Sequence, residues 1–202
     1  MNPMIVKEPY VLYESAIPKE KCEEIIQRGT SSLQEAKTVN NTRKDIRKSN
    51  ISWLHDKDLY KLVSPYVLDA NTNAGWNYEV SMYESLQFTC YEQNGHYGWH
   101  ADWGSDIHAA YTEQQAGPGS PKIGKIRKLS MTLNLTDKSN YEGGNLEFDV
   151  GQHSGDTQYY SPDVRTQGTI IVFPSYIPHQ ITPVTSGTRY SLVVWALGEP
   201  FK

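Results

Sequence analysis

Hydrophobic and polar positions along the chain change period near residue 80. Before it, apolar side chains recur at helical spacing. Cys22, Ile25 and Ile26 give the residues after Pro18 an apolar face. Pro18 sets a helix start, Glu20, Glu23 and Glu24 suit its first turns, and Gly29 is the expected stop after Arg28. Leu59, Leu62, Val63, Tyr66 and Val67 repeat at the same spacing behind Asp56, a helix cap, and Asn71 to Gly75 closes that second helix. Short strands are expected at 10–14 and at Ile51–Leu54. The polar stretch 30–50 contains Arg43, Lys44, Arg47 and Lys48, a basic cluster that reads as a solvated loop or edge strand.

From Val80 onward the period is two. Leu86, Phe88 and Cys90 alternate with Gln87, Thr89 and Tyr91. Leu129, Met131, Leu133 and Leu135 alternate with Ser130, Thr132 and Asn134. Tyr141–Gly144 reads as a turn and Asn145–Asp149 as the return strand. Residues 150–166 read as a polar connection with an edge strand around Tyr159-Tyr160. Gly168–Phe173 is a buried-type strand that Pro174 ends. His179–Val184 and Thr188–Leu197 are expected to form a last hairpin around Ser186-Gly187. Between these strands, Trp103–Gly124 has no period, and a loop of that length is either disordered or a functional lid. The pattern predicts a mainly β protein with α-helices (α+β): a double-stranded β-helix, or jelly-roll, cupin-like barrel, with N-terminal helices packed on one face. One catalytic domain is expected over 1–202, with 1–79 as helical support and 80–198 as the jelly-roll core.

Composition narrows the setting. A net charge of −4 over 202 residues gives no global reason to expect nucleic acid. No apolar run approaches the roughly 20 residues of a membrane helix. Cys22 and Cys90 form neither a disulfide framework nor a zinc motif, and Met1-Asn2-Pro3-Met4 lacks the charged-then-apolar pattern expected of a signal peptide. A reducing, cytoplasmic location is the expectation.

Candidate chemistry starts at His100-Ala101-Asp102. On a strand, residues two apart share a face, so an imidazole nitrogen and a carboxylate oxygen converge on one point. His179 follows Phe173-Pro174-Ser175-Tyr176-Ile177-Pro178 and opens a later strand. With His100 and Asp102 it completes a 2-His-1-carboxylate set, which leaves three octahedral positions open and suits non-haem Fe(II). Arg189 and Ser191 share a face on the last strand, and a buried guanidinium calls for an anion that its fork can bind bidentately. A small dicarboxylate could span from this pair to the metal.

Tyr91 through Asp102, Arg127-Lys128-Leu129-Ser130, Gly143-Gly144, Phe173-Pro174 and His179 through Arg189 together resemble the Fe(II)- and 2-oxoglutarate-dependent dioxygenases. The likeness is to their prolyl-hydroxylase-like branch, the PKHD-type hydroxylases and collagen-type prolyl 4-hydroxylases. It runs from about Leu86 to Trp195. The resemblance implies Fe(II) on His100, Asp102 and His179. It implies 2-oxoglutarate held by Arg189, where some prolyl hydroxylases use a lysine, with Ser191 and Tyr91 beside it. It places Tyr97, Arg127 and Trp195 on the substrate side and the segment after Asp102 over the substrate. The implied activity is hydroxylation of a prolyl residue in a protein or peptide, with O2 as second co-substrate and succinate and CO2 as products. The same chemistry on a free amino acid, small metabolite or nucleobase is the alternative. A metal-free jelly-roll binding module is a third reading, against which all three ligands are present. His55, His96, His108 and His153 lack partners at ligand spacing.

Overall fold

A computed structural model of the chain describes residues 9–36, 46–103, 110–150 and 159–201. Arg43, Lys44, His108 and His153 lie outside the described residues. The N-terminal part holds β1 (Val11–Tyr13), α1 (Lys19–Thr30), β2 (Gln34–Glu35), β3 (Arg47–Lys48), β4 (Asn50–Leu54) and α2 (Lys57–Asn73). Then come β5 (Met82–Tyr83), β6 (Leu86–Tyr91), β7 (His96–His100), α3 (Glu113–Ala116) and β8 (Ile126–Asn134). The last part holds β9 (Tyr141–Gly143), β10 (Leu146–Asp149), β11 (Tyr159–Tyr160), β12 (Ile170–Pro174), β13 (His179–Ile181), β14 (Val184–Gly187) and β15 (Arg189–Gly198).

Two antiparallel sheets face each other. The larger runs β1-β12-β8-β15-β6-β4-β2, with β5 also pairing with β15. The smaller runs β11-β10-β13-β7-β3, and β14 pairs with β9 alone. The fold is the expected double-stranded β-helix with helices on one face.

The direction of the alternation explains how the site is built. Leu86, Phe88 and Cys90 of β6, Met131 and Leu133 of β8, and Leu192 and Val194 of β15 all point to one face of the larger sheet. There they meet Cys22 and Ile25 of α1 and Leu59, Val63 and Val67 of α2. Each fully buried large apolar side chain contributes about 1.5–3 kcal/mol, so the helices are held by this shared layer. The intervening residues face the smaller sheet. Gln87, Thr89, Ser130, Thr132, Asn134, Arg189 and Ser191 are therefore buried and polar. The apolar part of the interior is a separate cluster of Tyr91, Leu146, Phe148, Ile171, Phe173 and Ile181.

Three local expectations are corrected. His179 and Arg189 do not sit on neighbouring strands of a last hairpin. β13 pairs with β7 and β10 in the smaller sheet, whereas β15 lies between β8 and β6 in the larger one. Pro183 has no N–H to continue the ladder, and the chain beyond it turns away to pair β14 with β9. The same β9 shows that Tyr141–Gly143 is a strand, not only a turn, and β10 returns along β13 rather than β8. Finally, Gly29 does not stop α1, which runs on to Thr30. Gly29 instead packs against the Phe88 ring, where a Cβ would overlap the ring carbons.

Gly29→Ala is therefore expected to destabilise the fold by about 1–3 kcal/mol through overpacking, despite alanine's better helix propensity. Urea unfolding midpoints check this; a variant as stable as the parent would contradict the packing.

Candidate metal centre

β13 and β7 are antiparallel neighbours, and their register sets His179 directly opposite His100. Asp102, two residues past His100, leaves β7 with its N–H donating to the Ser175 carbonyl at 2.9 Å. His100 Nδ1 lies 2.8 Å from the Gly98 carbonyl, and His179 Nδ1 lies 3.0 Å from the Ile177 carbonyl. A carbonyl can only accept, so both Nδ1 atoms carry the proton and both Nε2 lone pairs are free. Those Nε2 atoms point at Asp102, 3.8 Å from Oδ1 for His100 and 3.7 Å from Oδ2 for His179. The three ligand atoms lie within 4.8 Å of one another, close enough for one ion to bind all three.

The next layer of contacts fixes these ligands. The Ser130 hydroxyl donates to Asp102 Oδ2 at 2.6 Å and lies 2.9 Å from the Ser175 hydroxyl. Phe173 stands edge-on to the His179 ring, 4.8 Å between centroids. Burial pushes the His100 pKa well below its ordinary value, so the ring is neutral and ready to ligate. Burial acts to raise the Asp102 carboxyl. The neighbouring His179 and His100 rings, the Arg127 guanidinium and the Ser130 hydrogen bond outweigh it, and the carboxylate stays ionised.

Arg189 enters the interior from the facing sheet. It is 1% exposed, yet Nε and Nη2 have no hydrogen-bond partner among the described residues. Nη1 makes a long 3.4 Å contact to the Ser191 hydroxyl, and the guanidinium lies 5.6 Å from the centroid of Tyr91, its register partner on β6. A Cβ on Gly144 would come within 3.0 Å of Arg189 Cδ, so this glycine makes room for the side chain. Leaving guanidinium donors buried and unmatched costs several kcal/mol, at least 1–3 for each by typical values (~), and an incoming carboxylate removes that cost. The site therefore fits a metal with an open face and a carboxylate-bearing co-substrate on the Arg189 side.

The residues expected on the substrate side are not equivalent. Tyr97 stacks on His100 at 3.5 Å between ring centroids and 14° between planes. Its hydroxyl pKa is pushed up to about 12, chiefly by burial. Trp195 is buried, and Arg127 covers its ring with the guanidinium carbon 3.8 Å from the centroid. Arg127 is itself engaged. It grips the Glu84 carboxylate with Nε at 2.6 Å and Nη2 at 3.1 Å, and Nη1 donates to the Asp102 carbonyl at 3.2 Å. Tyr111 also donates to Glu84, at 2.8 Å. Glu84 thus joins the Asp102 backbone, by way of Arg127, to residues 110–124. Residues 110–124 are not structureless: Thr112 and Gln115 form a capping box for α3, and Tyr111 and Gly124 exchange backbone bonds with their surroundings. Ser130, Ser175 and Glu84 were not picked out as site residues from sequence. The one available signal was Ser130 on the polar face of a strand next to Arg127.

The descriptions of known families agree with this geometry. Residues 86–197 match the model of the 2OG-Fe(II) oxygenase superfamily, and the chain belongs to that superfamily. Its cofactors are ferrous iron and 2-oxoglutarate. A PKHD-type hydroxylase of Xylella fastidiosa is 31% identical over 109 residues, covering 54% of this chain and 42% of that protein. PKHD-type hydroxylase YbiX of Escherichia coli O157:H7 is 28% identical over 180 residues, 87% of this chain and 67% of that one. The chain thus spans under half of the Xylella relative. Among solved structures, a Pseudomonas putida prolyl-4-hydroxylase superposes with a TM-score of 0.64 at 18% identity, covering 95% and 94% of the two chains. A viral collagen prolyl hydroxylase from Paramecium Bursaria Chlorella virus-1, in a 2OG complex, gives 0.66 at 15% identity, covering 96% and 99%. These establish the fold.

Anaerobic addition of Fe(II) and 2-oxoglutarate to the apo-protein is expected to produce a weak visible charge-transfer band. His179→Ala should abolish it. Arg189→Ala should keep iron but need about thirtyfold or more 2-oxoglutarate, as truncating one partner of a buried charge pair usually requires. A band of full affinity in either variant would contradict the assignment. Glu84→Gln leaves Arg127 without its counter-charge and is expected to cost about 3 kcal/mol. It should also speed proteolysis within 110–124; unchanged cleavage would show that Glu84 does not anchor those residues.

Proposed function

We propose that the chain is an Fe(II)- and 2-oxoglutarate-dependent dioxygenase that hydroxylates a prolyl residue in a protein or peptide. 2-Oxoglutarate and O2 would be converted to succinate and CO2. The observation that carries the reading is the pairing of a 2-His-1-carboxylate set with a buried arginine whose donors are open. A structural metal would need no such anion anchor, and a metal-free binding module would need no ligand set.

In this reading His100, Asp102 and His179 hold iron, with Nε2 presented by the two fixed imidazoles. Arg189 and Ser191 bind the distal carboxylate of 2-oxoglutarate, and Tyr91 walls that end. Bound iron supplies the oxidising power, drawn from O2 and the decarboxylation of 2-oxoglutarate. The protein's own part is ligation, orientation and exclusion of water, for which the Phe173, Phe148 and Tyr91 walls serve. Tyr97, Arg127 and Trp195 form the substrate side, with Arg127 and Trp195 stacked into one surface by Glu84. Residues 110–124, anchored to Glu84 through Tyr111, would serve as its cover.

The choice of a prolyl substrate is supported by the similarity to PKHD-type and prolyl hydroxylases. One of the similar structures, from Trichoplax adhaerens, is described with a hypoxia inducible factor peptide fragment; it gives a TM-score of 0.63 at 14% identity. We take the whole chain as one catalytic domain. The two free cysteines, both buried, support a reducing, cytoplasmic setting. No helix among the described residues is long and apolar enough to cross a membrane.

The test is succinate release with a panel of proline-containing peptides, and mass spectrometry for one added oxygen atom. Stimulated succinate release with hydroxylated peptide is expected. Stimulation only by a free amino acid, small metabolite or nucleobase would remove the prolyl reading and leave the iron chemistry standing.

A further inference from the structure

A second arginine near the metal centre has an open donor. β3 places Arg47 opposite Tyr97 in the smaller sheet. The Arg47 guanidinium carbon lies 4.6 Å from the Tyr97 ring centroid. The His100 imidazole lies nearly parallel to the Tyr97 ring at 3.5 Å and fills one of its faces, so Arg47 takes the other. Arg47 Nε donates to the Ser49 hydroxyl at 2.8 Å. Nη2 is buried and has no partner among the described residues. The side chain lines a cavity of about 500 Å³, together with Lys48, Ser49, Asn50 and Gln93. Glu35 and Glu92 also lie on that wall, but neither supplies a partner to Nη2. Arg165, which also has an open Nε, differs: its Nη2 is already bound by the Lys138 and Tyr141 carbonyls.

The physical situation repeats that of Arg189, where the open donors fit a carboxylate. A guanidinium held by a ring and a hydroxyl, with one buried N–H that finds no acceptor among the described residues, can take a carboxylate even with Glu35 and Glu92 on the same wall. It cannot be the 2-oxoglutarate site, which lies on β15 in the facing sheet. We propose that Arg47 binds a carboxylate of the substrate and selects for an acidic group near the oxidised position; this rests on the reading of the site as a peptide oxygenase. The guanidinium lies one tyrosine ring beyond His100. At ~3.3 Å per extended residue, the acid falls within about two or three residues of the oxidised one.

The carboxylate can come from a Glu side chain within a peptide or from a free C-terminus. Two peptide pairs separate these sources. One pair carries Glu or Gln beside an internal proline. The other is a Pro-containing dipeptide as free acid or amide. Calorimetry under anaerobic conditions, on protein loaded with Fe(II) and 2-oxoglutarate, is expected to show the acid of at least one pair bound about tenfold tighter than its neutral form. That preference should weaken with salt, vanish in Arg47→Gln and survive in part in Arg47→Lys. Thermal melts confirm that both variants fold. Equal affinity for acid and neutral forms in the parent, or a preference that persists in Arg47→Gln, would overturn the proposal. O2 is then admitted. An acid peptide that binds by way of Arg47 but gains no oxygen sinks the peptide-hydroxylase reading alone. Oxygen inserted equally well into acid and neutral peptides, after equal binding, sinks the Arg47 assignment alone.

Discussion

Every donor taken out of water must find an acceptor, and among the described residues this barrel buries donors that find none. The helices α1 and α2 cover the apolar face of the larger sheet, so the polar face of β6, β8 and β15 has to turn inward. Most of that face closes on itself: Ser130 on Asp102, Asn134 on the Thr136 and Arg165 carbonyls, Gln87 on Thr89. Arg189 does not close. Its buried, open guanidinium makes the interior a site for an anion rather than a packed core.

The metal ligands complement this from the other sheet. Backbone carbonyls set both histidine tautomers, and two serines set the Asp102 carboxylate. None of these contacts depends on a flexible side chain. The ligands are thus arranged by the register of β7 against β13 and by the course of the chain after β12, which are properties of the fold. The residues proposed for the substrate side are held differently, mostly by stacking: Arg47 on Tyr97, Tyr97 on His100, and Arg127 on Trp195. Such layers fix planes and positions while leaving edges and charges to choose the substrate.

Much of this was legible in the sequence. A His-x-Asp pair on a strand shares a face whatever surrounds it, so His100 and Asp102 could be read directly, and His179 followed from its place after Phe173-Pro174. Arg189 was identified correctly as an interior residue but through a hairpin that does not exist. Its face followed from the period of β15, whereas its sheet depended on where Pro183 diverts the chain. Alternation shows that a strand has two faces. It does not say which face the helices will cover, so Ser130, Thr132 and Asn134 were not recognisable as interior. Glu84 and Ser175 are joined to the site only by contacts across distant segments, and no local pattern announces them. Gly29 read as a helix stop because its reason, the Phe88 ring, lies on another element.

The central claim is that one interior holds both a metal on His100, Asp102 and His179 and a carboxylate on Arg189. A crystal structure of the protein loaded anaerobically with Fe(II) and 2-oxoglutarate, with anomalous data at the iron edge, tests it most directly. One iron peak among those three side chains, with a 2-oxoglutarate carboxylate on Arg189 Nε and Nη2, is the expected result. An iron peak elsewhere, or 2-oxoglutarate bound away from Arg189, would contradict it.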